Sequence, residues 1–171
     1  MTPQRLDRNL TAYRIGDPNG VYPIFASTGA RLFPGRWNTA ASPVIYTSEY
    51  YSTAMLEKLA HGNGRVPPHQ HWIAVTIPAG VSYEVFSTAH HPGWDAADCM
   101  VAKTYGEAWQ RSLRSLLLIV PSIVARIENN ILINDRHPEF PRVTHGLHQP
   151  VWWDGRLFQA APEPSRRGRR R

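Results

Sequence analysis

The stretch "GRWNTAASPVIYTSEYYSTAMLEKLAHG" (35–62) runs from a glycine turn through a short strand and directly into a helix. Its "PVIYTS" (43–48) is an apolar, β-favouring run with Pro at the start, which predicts a strand. Ser48 is placed to cap the element that follows, and "EYYSTAMLEKLAHG" (49–62) reads as a helix closed by Gly62. At about 100° per residue, Tyr51, Ala54, Met55, Leu56 and Leu59 share a broad apolar face. Thr53, Glu57 and His61 fall together on the other side, so Glu57 is expected off the core face.

Outward from this unit the chain breaks into short pieces, as fifteen prolines and twelve glycines require. "TAYRIG" (11–16) alternates as a strand does, and "DPNGVYP" (17–23) carries two turn signals. "HWIAVTI" (71–77) is a further strand, and "SLLLIVPSIV" (115–124) is a buried apolar run interrupted at Pro121-Ser122, consistent with a central strand. "NNILIN" (129–134) is another. "AADCMVAKTYGEAWQRS" (96–112) looks helical with a break near Gly106. Strands outnumber helices without the regular alternation of βαβ units. The expectation is an α+β fold: a single domain with a mixed, mostly antiparallel central sheet and flanking short helices.

The 171 residues fit one domain, expected over 1–162. The net charge of +6 is misleading, because Arg166, Arg167, Arg169, Arg170 and Arg171 supply five of the 19 basic residues against 13 acidic ones in all. The rest is nearly neutral. Residues 163–171 are expected to be a disordered Arg-rich tail whose first reading is a solvated end, with weak nucleic-acid binding as the second. A single cysteine, Cys99, excludes an internal disulfide. With no signal-type N-terminus and no long apolar run, the expectation is a soluble cytoplasmic protein without membrane contact.

Walker, GxGxxG, GxSxG and zinc-type spacings are absent. Neither His69 with His71 nor His90 with His91 has a carboxylate at helical spacing, so no metal site is expected. Chemistry-bearing groups concentrate in 35–57, where Arg36 lies in a turn, Tyr46 near a strand's end and Glu57 on the helix. Taken alone these also suit a surface ion pair and a core tyrosine.

Six pieces in order, "YRIG" (13–16), "GRWN" (35–38), "PVIYTS" (43–48), "AMLEKLAH" (54–61), "LIVPSIV" (118–124) and "ENNILIN" (128–134), resemble the RES domain, with "DGRLF" (154–158) resembling its usual ending. The resemblance implies a fold similar to ADP-ribosyltransferase toxins, a bacterial toxin–antitoxin pair and activity against NAD⁺. It matches Arg36, Glu57 and Ser122 to the family's named triad, as catalytic residues. Arg14 and Tyr46 match further substrate-binding positions. "FPGRWN" departs from a frequent double-Gly version.

Release of neutral nicotinamide from NAD⁺ needs no proton donor, so one carboxylate suffices where an ordinary glycosidase uses two. On this reading Glu57 holds the ribose hydroxyls and stabilises the oxocarbenium-like charge. Arg14 and Arg36 suit the pyrophosphate, one of them alternatively orienting Glu57. Tyr46 would stack on nicotinamide or ribose, and Ser122 would bond the carboxylate or substrate, not act as a nucleophile. NAD⁺ is then a substrate and no cofactor is expected. Water as acceptor makes an NAD⁺ glycohydrolase, phosphate an NAD⁺ phosphorylase and a protein side chain an ADP-ribosyltransferase. An inactive RES-like binding module is the remaining alternative. The expected partner is a helix-turn-helix, Xre-type antitoxin covering the site. A homodimer is compatible with the sequence.

Overall fold

The computed structural model describes residues 3–62, 65 and 68–158. The Arg-rich segment 163–171 and the expected boundary at 162 lie outside the described residues. In chain order the elements are β1 (Gln4–Arg5), β2 (Leu10–Gly16), α1 (Thr28–Leu32), β3 (Ile45–Ser48), α2 (Tyr51–His61), β4 (His71–Ile77), β5 (Ser82–Val85), α3 (Met100–Ser112), β6 (Leu117–Pro121), β7 (Asn129–Ile133), β8 (Thr144–His145) and β9 (Gln149–Pro150). The described strands form one sheet ordered β1-β5-β6-β7-β3-β2-β4-β8, with β9 also on β4. Only β5 and β6 run parallel; the other pairings are antiparallel. This is the expected α+β class.

The two central strands show why the apolar runs contain no polar alternation. Leu117 of β6 and Ile131 and Ile133 of β7 belong to one buried cluster, whereas Leu118, Val120 and Leu132 belong to another. Neighbouring side chains along a strand point to opposite faces, so both faces of the sheet are covered and both must be apolar. The second cluster takes in Ala102 and Trp109 of α3, and Trp37, Phe86 and Trp94 from the loops above the sheet.

Helix α3 runs unbroken through Gly106, contrary to the expected interruption. A Cβ at Gly106 would lie 1.9 Å from the main-chain oxygen of Trp37, so glycine is needed there for close approach. The residue admits the Arg36-bearing loop instead of ending the helix. Ser48 likewise does not cap α2: the N-cap is Tyr50, with no side-chain capping bond. The face of α2 is also turned from the expectation. Thr53 is fully buried and Glu57 half-buried, while Leu56 is exposed. A polar partner, not an apolar layer, waits under that side of the helix.

Candidate active site

A cleft of about 670 Å³ opens over the sheet, with Glu57, Lys58 and His61 of α2 along one side and, from the start of α3, its N-cap Cys99 and Lys103 along the other. Tyr46, Ser48, Pro121 and Asn130 supply its floor, and Arg14 and Arg36 also line it. Tyr46 and Ser48 are two apart in β3, so they share a face, and Ser48 is in register with Asn130 of β7.

Glu57 is held from below. Its Oε1 accepts hydrogen bonds from Ser122 Oγ at 2.9 Å and from Asn130 Nδ2 at 2.6 Å. Ser122 is buried just past β6, where its Oγ also accepts from the Ala125 N–H at 3.0 Å and its own N–H donates to Glu128 O. The serine thus caps a turn and holds the carboxylate at once. Oε2 of Glu57 has no hydrogen-bond partner among the described residues. The residues 128–130 stitch the start of β7 to α2 and its approach: Thr53 Oγ1 donates to Glu128, Asn129 Nδ2 donates to Glu49 at 3.2 Å, and Asn130 reaches Glu57. Glutamate and serine, matched from sequence, meet directly; Asn130 was not singled out there, because an asparagine opening a strand has no spacing signature.

Arg36 makes no ion pair with Glu57 among the described residues. Its Nη1 donates to the carbonyls of Trp94 at 3.1 Å and Ala96 at 2.8 Å, which fixes one end of the guanidinium of a residue that lines the cleft. The loop carrying it is organised by Asn38, whose Oδ1 accepts from Gly35 N–H at 2.8 Å and Tyr46 O–H at 3.0 Å, and whose Nδ2 donates to Ala30 O and Thr39 O. Tyr46 O–H also accepts from Trp37 N–H at 3.0 Å. A side chain at Gly35 would strike that hydroxyl, with a Cβ only 2.7 Å away. Burial pushes the Tyr46 phenol well above its ordinary range, so it stays protonated and serves the loop.

Arg14 is half-buried and donates to three main-chain carbonyls: Ile24 at 2.5 Å, Tyr46 at 2.7 Å and Ala26 at 3.1 Å. Burial pulls its guanidinium down to about 10, still charged at neutral pH. Two of its five N–H groups are left for a ligand. Lys58 is lowered by burial and next by Arg14, with Asp17 opposing. Arg14, Arg36, Lys58 and Lys103 therefore face a cleft whose lining contains one carboxylate, Glu57. Such a cavity favours an anionic ligand. Among the described residues, no group of three or more His, Cys, Asp or Glu side chains gathers as a metal site, and no helix is long and apolar enough to cross a membrane.

A family model described as the RES domain matches residues 11–154, the span that holds every one of these groups. The chain belongs to the RES domain family. This RES domain is 34% identical over 162 residues to the Prs ADP-ribosylating toxin of Sphingobium sp. (strain YBL2), covering 92% of this chain and 96% of that protein. It is 28% identical over 152 residues to Toxin Res of Photorhabdus laumondii subsp. laumondii, covering 86% and 97%. Its fold is similar to that in the crystal structure of the M. tuberculosis MbcT–MbcA toxin–antitoxin complex, with a TM-score of 0.67 over 86% of each chain. At 15% identity that likeness is one of fold. The RES domain here is thus a relative of toxins, and the cleft lies within the matched span.

Proposed function

We propose that this RES domain is the toxin of a bacterial toxin–antitoxin pair and breaks the nicotinamide–ribose bond of NAD⁺ in the cleft. The observation that carries the reading is a lone carboxylate, anchored through one oxygen and free at the other, in a cleft whose other formally charged residues are the cations Arg14, Arg36, Lys58 and Lys103. Nicotinamide leaves as a neutral ring when the C–N bond breaks, taking the bonding pair with it. Positive charge then develops on the ribose, and Oε2 of Glu57 is the group available to stabilise it and to accept from the ribose hydroxyls. The pyrophosphate bears two negative charges and suits the guanidinium and ammonium groups around Glu57. Tyr46 contributes its ring to the floor. NAD⁺ is a substrate here, not a resident cofactor. An antitoxin that covers the cleft belongs to the same proposal, since an open site would act on the host's own dinucleotide.

The acceptor separates two versions. Water or phosphate would make the protein an NAD⁺-degrading enzyme. The likeness to an ADP-ribosylating toxin favours, as the second reading, transfer of ADP-ribose to a protein. Both begin with the same bond. The test is nicotinamide release from NAD⁺ by the purified protein, with and without phosphate, beside Glu57→Gln. Release is expected, with a loss of about 10²-fold or more in kcat for the variant. ADP-ribose or its 1″-phosphate as product identifies the acceptor. No release in either buffer removes the degrading version and leaves the transferase, which would need its protein target.

A further inference from the structure

An ionised carboxylate accepts hydrogen bonds and cannot donate them, and this fixes the direction of every bond beneath Glu57. Asn130 must turn its Nδ2 toward Glu57, at 2.6 Å, leaving its Oδ1 to face Ser48 Oγ at 2.7 Å. The Ser48 hydroxyl is then the donor. A chain of donors runs from Ser48 through the Asn130 amide to Glu57 Oε1, which Ser122 meets from the other side at 2.9 Å. Ser48 is no mobile hydroxyl: it is buried and paired in register with Asn130 on one side and with Tyr13 on the other. The terminal torsion of a glutamate is broad and roughly two-fold, so without such anchors its two oxygens exchange places freely.

We propose that Asn130, itself held by Ser48, is a positioning residue that gives the two oxygens of Glu57 different tasks. Oε1 is tied to the sheet, and Oε2 is presented to the sugar. The proposal rests on the reading of the cleft as an NAD⁺-cleaving site. Both ends of the Asn130 amide are engaged within the protein, by Glu57 and Ser48, so its loss is expected to fall on kcat, where transition-state charge is felt, more than on binding.

Asn130→Asp is the sharpest variant. The side chain keeps its shape and still accepts from Ser48, but loses its donor and brings a second carboxylate to Glu57. At pH 8 the expected result is a fall in kcat of about 10²-fold, with KM for NAD⁺ within about threefold of wild type. Two carboxyls this close take up a shared proton on acidification, which restores a donor. The deficit relative to wild type is therefore expected to shrink at least about tenfold between pH 8 and pH 5.5. Ser48→Ala, which leaves the amide in place but unanchored, is expected to lower kcat by about 3–10-fold with KM unchanged. A deficit that is equal at both pH values, appears in KM, or stays under threefold overturns the proposal. One readout does not depend on turnover: by NMR the Asn130 side-chain amide protons should be protected from exchange in wild type and lose protection in Ser48→Ala. Free exchange in wild type overturns the positioning role. Protected protons with no nicotinamide release would instead fault the assigned reaction.

Discussion

Arg14 carries its charge into the protein with no carboxylate at ion-pair distance among the described residues, and three main-chain oxygens take the place of a counterion. Those oxygens belong to the 24–26 segment and to β3, so one guanidinium ties the loop to the sheet beside the cleft. Arg14→Met leaves buried carbonyls unpaired and is expected to lower stability by about 2–4 kcal/mol in urea denaturation. Arg14→Lys should recover only part of this, because an ammonium lacks the fork needed to reach several acceptors at once. At this scale the sequence was legible where a residue belongs to an ordered motif. Arg36, Glu57 and Ser122 were singled out that way, and of these Glu57 and Ser122 are in contact. The orientation of Glu57 was not legible, because apolar periodicity assumes that a helix buries its greasy side. Here α2 covers a polar floor, and Thr53 and Glu57 turn inward to meet Glu128 and Ser122. Asn130 escaped for a similar reason: its meaning lies in a partner 73 residues away.

Among the elements, α3 and the Arg36 loop fit together through Gly106. Gly106→Ala forces a methyl group into the Trp37 carbonyl, with an expected cost of about 1–3 kcal/mol in thermal or urea unfolding and a raised KM for NAD⁺ as Arg36 is displaced. A variant that melts like wild type and binds NAD⁺ normally would show that the loop gives way freely. The periphery of the sheet is closed by Glu139, which accepts from the Ser82 hydroxyl at 2.5 Å and its N–H at 2.9 Å, and which pairs with Arg5. Burial opposes its charge, but the Ser82 hydroxyl and N–H, with Arg5, outweigh it and hold the carboxyl down to about 2. A carboxyl lowered in the folded state stabilises above its unfolded value of about 4.3, and that contribution disappears as pH falls through about 2. Thermal melts of wild type should therefore decline across this window with a component that Glu139→Gln lacks. These same contacts explain why β5 was not anticipated. "SYEV" looks like a surface segment, yet Ser82 is bonded to Glu139, and Glu84 is buried against Arg114 Nε and Nη2, each at 3.1 Å. The central strands, apolar on both faces, needed no such partner to be recognised.

Across the whole molecule the charge lies where net composition does not show it. The cleft has an excess of cations around one carboxylate, within a matched domain whose near neutrality comes from elsewhere. Binding of a dinucleotide pyrophosphate there should weaken with ionic strength. Lys103→Gln is expected to raise KM for NAD⁺ about 3–10-fold at low salt, with kcat little changed and the difference narrowing at high salt. An unchanged KM would place the phosphates elsewhere. The α+β class was legible at this scale because the order of short apolar pieces excludes βαβ repetition. The long-range pairing that sets β7 beside β3, and with it the floor of the cleft, was not.

That pairing also sets a clock. Glu57 depends on Ser122 and Asn130, which follow it by 65 and 73 residues. A ribosome adding about 5–20 residues per second needs roughly 4–15 s to make that interval. Throughout it the nascent chain already contains its glutamate but not the hairpin that aims it. Glu57 is thus made without its supports, and they arrive only with the later stretch that carries Ser122 and Asn130.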